Sequence, residues 1–186
     1  MIVAVYCGSS SGNEIKYLEQ TKALGKFLAQ NNIDIVYGGG KVGLMGTIAD
    51  SVLEHGGKVY GVIPKKLEDK ELAHTGVTAL KIVENMHERK AMMADMADAF
   101  ITLPGGAGTL EEISEAWTWA QLGYHNKPCA FYNIDGFYDD LFKMIEKMSS
   151  KGFMKKEYLD MLINTTNLDE LLSSLKNYKA PIEKWS

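Results

Sequence analysis

The chain has 186 residues, enough for one domain with a core of its own. Its composition, 46% hydrophobic and 24% charged, is ordinary for a globular protein, and a net charge of -4 with a pI near 5.6 argues against a nucleic-acid groove, which normally needs a basic face. No apolar run reaches the length of a membrane span, and the opening Met1-Ile-Val-Ala-Val-Tyr6 has neither a basic stretch nor a cleavage site, which points to a cytoplasmic protein that begins on a strand.

The first apolar run, 2–7, leads into Gly8-Ser-Ser-Ser-Gly12 and then a helical pattern over 14–31, where Ala23, Leu24, Phe27 and Leu28 share one face. A second run, 33–37, ends in Gly38-Gly-Gly40 and is followed by a helix over 44–55. The runs 58–63 and 79–83 flank a loop at 65–76, and a helix over 86–97 follows them. The run 99–103 ends in Pro104-Gly-Gly-Ala-Gly108 before a helix over 110–123, and the run 128–132 precedes a helix over 137–149. Beyond residue 151 the pattern predicts one more helix, 168–175, and a surface arm past Pro181. Continuous apolar runs suit strands covered on both faces. Their alternation with helices predicts a doubly wound, mainly parallel, Rossmann-like α/β sheet with helices on both faces, in a single domain spanning 1–186. Cys7 and Cys129 each sit at the edge of an apolar run and read as buried thiols, not as a disulfide or metal pair.

In open parallel sheets a ligand sits beyond the carboxyl ends of the strands. The unusual segments here, 8–12, 38–46, 85–90 and 104–112, all come directly after strands and should converge on one edge. Gly105, Gly106 and Gly108 let backbone amides approach a ligand closely, and the helix that follows offers free N–H donors and a positive dipole end suited to phosphate, with the Thr109 hydroxyl beside them. Gly38-x-Gly40-x-x-Gly43 matches the dinucleotide fingerprint, but the partner strand ends Val62-Ile63-Pro64 where a ribose-binding acid belongs. A P-loop fails because no glycine loop ends in Lys followed by Ser or Thr. Gly8-Ser9-Ser10-Ser11-Gly12 has the form of an esterase elbow with Ser10 as nucleophile, yet leaves little chain ahead of it for an oxyanion loop; Ser9 is better used as a phosphate donor.

Glu111 and Glu112 stand near the start of a helix, where the dipole favours carboxylates. Consecutive side chains point about 100° apart, so the two need not share a role. Arg89 and Lys90 near a helix N-terminus work against the dipole; either an anionic ligand or the acidic pair across the site resolves that conflict, and the alternative is a solvated charged turn, His87-Glu88-Arg89-Lys90. The four histidines are scattered without metal-ligand spacing, and Met86, Met92, Met93 and Met96 form a packing stripe, so no metal is expected.

Taken in order, Gly38-Gly-Gly-x-x-Gly-Leu-Met-Gly46, Met86-His-x-Arg-Lys90, Pro104-Gly-Gly-x-Gly-Thr-x-Glu-Glu112 and Thr118-Trp-Ala-Gln-Leu-Gly123 resemble the LOG (lonely-guy) family of cytokinin-activating phosphoribohydrolases. The resemblance implies hydrolysis of the N-glycosidic bond of a purine nucleoside 5′-monophosphate without a cofactor. Arg89 and Glu112 would be catalytic, and the nucleotide would touch Ser9, Gly40, Met45, Glu71, Lys90, Gly105, Gly106, Ala107, Gly108, Thr109, Leu110, Glu111 and Thr118. It also implies a homodimer, for which the helix bearing Trp117 and Trp119 is a candidate interface and core burial the alternative. Such proteins also carry the older label lysine decarboxylase, but the chain is small for that and no lysine context suggests a pyridoxal Schiff base. The rival readings are a non-catalytic nucleotide carrier on the same fold and the esterase around Ser10.

Overall fold

The structure, a computed structural model, describes residues 1–68 and 72–181. Seven strands, β1 (Ile2–Tyr6), β2 (Asp34–Tyr37), β3 (Val59–Pro64), β4 (Ala79–Val83), β5 (Ala99–Thr102), β6 (Cys129–Tyr132) and β7 (Leu162–Thr165), form one sheet in the order β4-β3-β2-β1-β5-β6-β7. Every pairing is parallel. The helices are α1 (Ile15–Gln30), α2 (Gly43–Glu54), α3 (Met86–Met96), α4 (Ala107–Gln121), α5 (Asp139–Ser150), α6 (Lys156–Asp160) and α7 (Leu168–Lys176).

Strand side chains alternate between two cores. Val3, Val5, Ile35, Tyr37 and Ile101 pack with Leu24 and Leu28 of α1, Ile48 and Val52 of α2, and Leu171 and Leu175 of α7. Ala4, Tyr6, Val36, Phe100 and Phe131 pack with Met93 of α3, Ile113 and Ala116 of α4, and Ile145 of α5 on the other face. Covering both faces explains why the central strands read as continuous apolar runs. The chain is the expected doubly wound α/β sheet.

Two departures from the sequence reading stand out. The segment after residue 151 holds a short helix, α6, and a seventh strand besides the expected helix α7. That strand pairs with β6, and its end is fixed where Asn133 N–H donates to Thr165 O at 2.9 Å. The other departure bears on function: α4 begins at Ala107, three residues ahead of the expected 110, inside the glycine segment itself.

Candidate active site

The sheet order reverses between β1 and β5, and a crevice outside the carboxyl ends at such a point is where these folds hold ligands. Here Gly8 N–H donates to Pro104 O at 3.0 Å, and Leu44 N–H donates to Gly8 O at 3.1 Å, so three strand-end loops are sewn together. Gly105 packs so closely on Thr109 Oγ1 and Gly8 N that a Cβ would overlap both, which requires glycine.

A cleft of about 370 Å³ opens over this junction. Cys7, Gly8 and Ser9 enter it from β1, Gly38 from β2, Met45 from α2, Met86 and Arg89 from α3, and Gly106, Ala107, Gly108, Thr109, Glu111 and Glu112 from the start of α4; Val5 and Leu67 complete the wall. Gly106 is the N-cap of α4, and the first intrahelical bond runs from Leu110 N–H to Gly106 O at 3.2 Å. The amides of Ala107, Gly108 and Thr109 therefore have no acceptor within the helix, while Gly106 and Gly108 leave open space where a side chain would stand. The result is an anion cradle at the positive end of a helix. The early start of α4 also moves Glu111 and Glu112 past the first turn, so stabilisation of a helix start no longer accounts for them.

Helix α3 is capped by Asn85, whose Oδ1 accepts from Glu88 N–H at 3.0 Å while the Glu88 carboxylate accepts from Glu84 N–H at 3.0 Å. With Glu88 serving the cap, Arg89 and Lys90 turn inward and are only 5% and 6% exposed, which overturns the solvated-turn alternative. The Arg89 guanidinium lies over Gly38, with Nη1 3.7 Å from Met86 Sδ. Glu112 opens on the same cleft. Burial pushes the Cys7 thiol up, Glu112 raises it further, and Arg89 opposes; Tyr6 is raised by the same causes in the same order, burial and then Glu112. Both charges thus bear on the floor of one cleft.

Lys90 does not line the cleft. Its ammonium donates to Glu111 and, at 2.5 Å, to Glu115 Oε2, both on α4. Burial alone would lower its pKa, but the two carboxylates outweigh that and hold it above the ordinary lysine value.

Of the other expected contacts, Ser9, Met45, Gly106, Ala107, Gly108, Thr109 and Glu111 meet in the cleft. Gly105 lines an adjoining chamber of about 290 Å³ with Ser9, Ser10, Tyr17 and Phe137. Gly40 is buried and bridged to Ala73, Leu110 packs against the core, and the exposed Thr118 returns its hydroxyl to Ser114 O at 2.7 Å. Glu71 lies outside the described residues. Sequence reading placed Met86 in a packing stripe, whereas it lines the cleft three residues before Arg89 on the same helix face. Ser10 is exposed with Oγ accepting from Gly12 N–H at 3.3 Å, and no histidine is among the residues lining either chamber, so the esterase reading lacks a base.

Comparison with known proteins bears on this arrangement. A family profile described as "Possible lysine decarboxylase" matches residues 45–175. A cytokinin riboside 5′-monophosphate phosphoribohydrolase of Arabidopsis thaliana is 44% identical over 182 residues, covering 98% of this chain and 85% of that protein. One of Oryza sativa subsp. japonica is 46% identical over 176 residues, 95% of this chain and 73% of that protein. The chain belongs to the LOG family. The family match begins at Met45 and so contains Arg89, the cradle and Glu112. Among solved structures, the molybdenum cofactor carrier protein of Chlamydomonas reinhardtii superposes with a TM-score of 0.71 at 18% identity over 94% of this chain and 95% of that one. The molybdenum cofactor binding protein of Rippkaea orientalis gives the same score and identity over 94% of each chain. At that identity the likeness concerns the fold alone.

Proposed function

We propose that the cleft hydrolyses the N-glycosidic bond of a purine nucleoside 5′-monophosphate, AMP or a cytokinin-type N6-substituted nucleotide, giving free base and ribose 5-phosphate. The observation that carries this reading is the meeting of an anion cradle, a carboxylate and a buried guanidinium in one cleft. The phosphate is held by the amides of Ala107, Gly108 and Thr109 with the Ser9 hydroxyl, and the ribose lies over Glu112. As the bond from C1′ to the base breaks, its electron pair leaves with the purine and positive charge develops on the ribose. Glu112 stabilises that charge and takes a proton from the water whose oxygen bonds to C1′, and that proton passes through solvent to the departing purine, which leaves as the neutral base. Arg89 supports the leaving base or the phosphate through its paired N–H groups. The names of the relatives agree with this chemistry.

Incubation with AMP and with an N6-isopentenyl analogue, with free base followed by chromatography, tests the reading. Release of base from at least one is expected, and a Ser10→Ala variant should release it equally well. A wild-type protein that binds both nucleotides but frees no base would establish the carrier reading instead. Decarboxylation is disfavoured: no lysine is among the described residues lining the cleft, and Lys90 is held protonated, whereas a Schiff-base lysine needs a lowered pKa.

The same reading includes a homodimer in the cytoplasm. Trp119 of α4 is half-buried beside Tyr124, which is 76% exposed, so two aromatic rings flanked by Asp95, His125 and Lys127 are offered to a second copy. Sedimentation velocity should give about twice the 20.6 kDa chain mass; a monomer at micromolar concentration would refute the dimer. Two buried free thiols suit a reducing compartment, and among the described residues no helix is long and apolar enough to cross a membrane.

A further inference from the structure

Part of the cleft wall comes from three separate stretches of chain. Gly38 follows β2, Met45 stands at the start of α2, and Leu67 closes the short turn after β3. Such a wall keeps its shape only if the stretches are tied together, and the ties run through residues 72–76. Lys41 N–H donates to Leu72 O at 3.0 Å, His74 N–H donates to Gly39 O at 2.8 Å, and Gly40 is bridged to Ala73. Ala73 N–H donates in turn to Glu68 O at 3.0 Å, next to Leu67. The His74 side chain then joins this segment to α2. Its ring is buried, and Nδ1 accepts from Gly76 N–H at 3.1 Å. That leaves the ring proton on Nε2, which donates at 2.9 Å to Oδ1 of Asp50, on the same helix as Met45.

We infer that His74 and Asp50 are positioning residues: they latch the segment after β3 to α2 and so hold Gly38, Met45 and Leu67 as one wall for the nucleotide, without touching it themselves. This rests on the reading of the cleft as the nucleotide site. Neither His74 nor Asp50 is among the described residues lining the cleft, so their influence on a bound nucleotide has to pass through the wall. Leu72, beside the latch, supplies a second support. It has a φ of +48° although its side chain is 58% exposed. A left-handed leucine with little packing is strained, and such a conformation persists where its neighbours hold it. Here the bond from Lys41 to its carbonyl and the bond from Ala73 to Glu68 do so. The Asp50 side chain is 54% exposed, so water makes good part of the loss when its bond to His74 is removed. Its substitution should therefore loosen the wall without unfolding the sheet.

Asp50→Ala, Asp50→Asn and His74→Leu are to be compared with wild type in three measurements: steady-state release of adenine from AMP, AMP affinity by calorimetry, and hydrogen exchange of amides 41, 73 and 74. A latch predicts that Asp50→Ala and His74→Leu raise KM and weaken AMP binding by about fivefold or more, the scale of one hydrogen bond, with kcat within about twofold of wild type. Asp50→Asn keeps an oxygen that accepts from Nε2, so its KM should stay within about twofold of wild type. The double variant of Asp50→Ala and His74→Leu should bind AMP no more weakly than His74→Leu alone. The three amides should exchange faster in Asp50→Ala and in His74→Leu. Wild-type KM and affinity in both, with only the melting temperature lowered, would reduce the pair to a structural staple and overturn the latch. Equal losses in Asp50→Asn and Asp50→Ala would overturn it too, because the bond and not the charge is its substance. If His74→Leu does not fold, Asp50→Ala against Asp50→Asn decides on the same readouts. A wild-type protein that binds AMP but frees no base would sink the catalytic reading of the cleft, and affinity and exchange would still decide on the latch.

Discussion

Glu112→Gln should reduce base release by on the order of 10²–10⁴-fold in kcat while the protein folds normally and still binds AMP. Glutamine has the same length and volume, so the half-buried side chain on the second turn of α4 keeps its packing. What it loses is the negative charge opposite the developing ribose cation and the ability to take a proton from water, and both are needed only on the way to the transition state. The fall should therefore appear in kcat, with nucleotide affinity by calorimetry close to wild type. The same substitution at Glu111 should be milder, because Glu111 already shares its carboxylate with Lys90 and is half exposed. Turnover near wild type in Glu112→Gln would remove this residue from the mechanism. Unfolding or loss of AMP binding would mean that the carboxylate is structural.

The distinction between those neighbours was only partly legible in the sequence. Helical spacing says that Glu111 and Glu112, or Arg89 and Lys90, diverge, but which member faces the ligand depends on how α3 and α4 are rotated about their axes, and that rotation is set by Met93, Ile113 and Ala116 in the core. Glu115 lies outside the ordered motifs, and its one-turn spacing from Glu111 gains meaning only once a buried lysine is seen between the helices. Five strands, β1, β2, β3, β5 and β6, were legible because burial on both faces makes each a run of apolar residues, whereas β4 is an edge strand with Lys81 and Ile82 exposed and was marked only by its largely apolar composition. The seventh, Leu162–Thr165, was not: it is four residues long, at the sheet edge, with Asn164 exposed, and its pairing is supplied by β6. The start of α4 was hidden for a related reason. Gly106, Ala107 and Gly108 have the composition of a turn, yet Ala107 and Gly108 are helical, because the first turn has few hydrogen bonds to lose and gains amides free to meet an anion.

Gly38→Ala is the second substitution with a large expected effect, and it acts on Arg89 from across the sheet edge. A methyl at Gly38 would occupy the place of Arg89 Nη2, with Cζ at 2.9 Å and Met45 Sδ at 3.2 Å also crowded. The backbone is no obstacle, since Gly38 is not among the positive-φ positions, whereas its neighbour Gly39 has φ +79°. Alanine at 38 is thus tolerated by the backbone and resisted chiefly by the guanidinium, which has to move by more than an ångström inside a buried site, while Met45 Sδ has to give by a few tenths of an ångström. A displacement of that size at a catalytic group costs on the order of 10²-fold in kcat/KM. Gly39→Ala should instead lower stability, because a left-handed conformation strains any residue with a Cβ. Steady-state kinetics beside thermal unfolding will separate the two: Gly38→Ala loses activity at nearly unchanged stability, and Gly39→Ala loses stability first. If the first effect runs through Arg89, adding Gly38→Ala to Arg89→Ala should cost nothing further. Wild-type kcat/KM in Gly38→Ala would show that Arg89 is not held at this position during turnover.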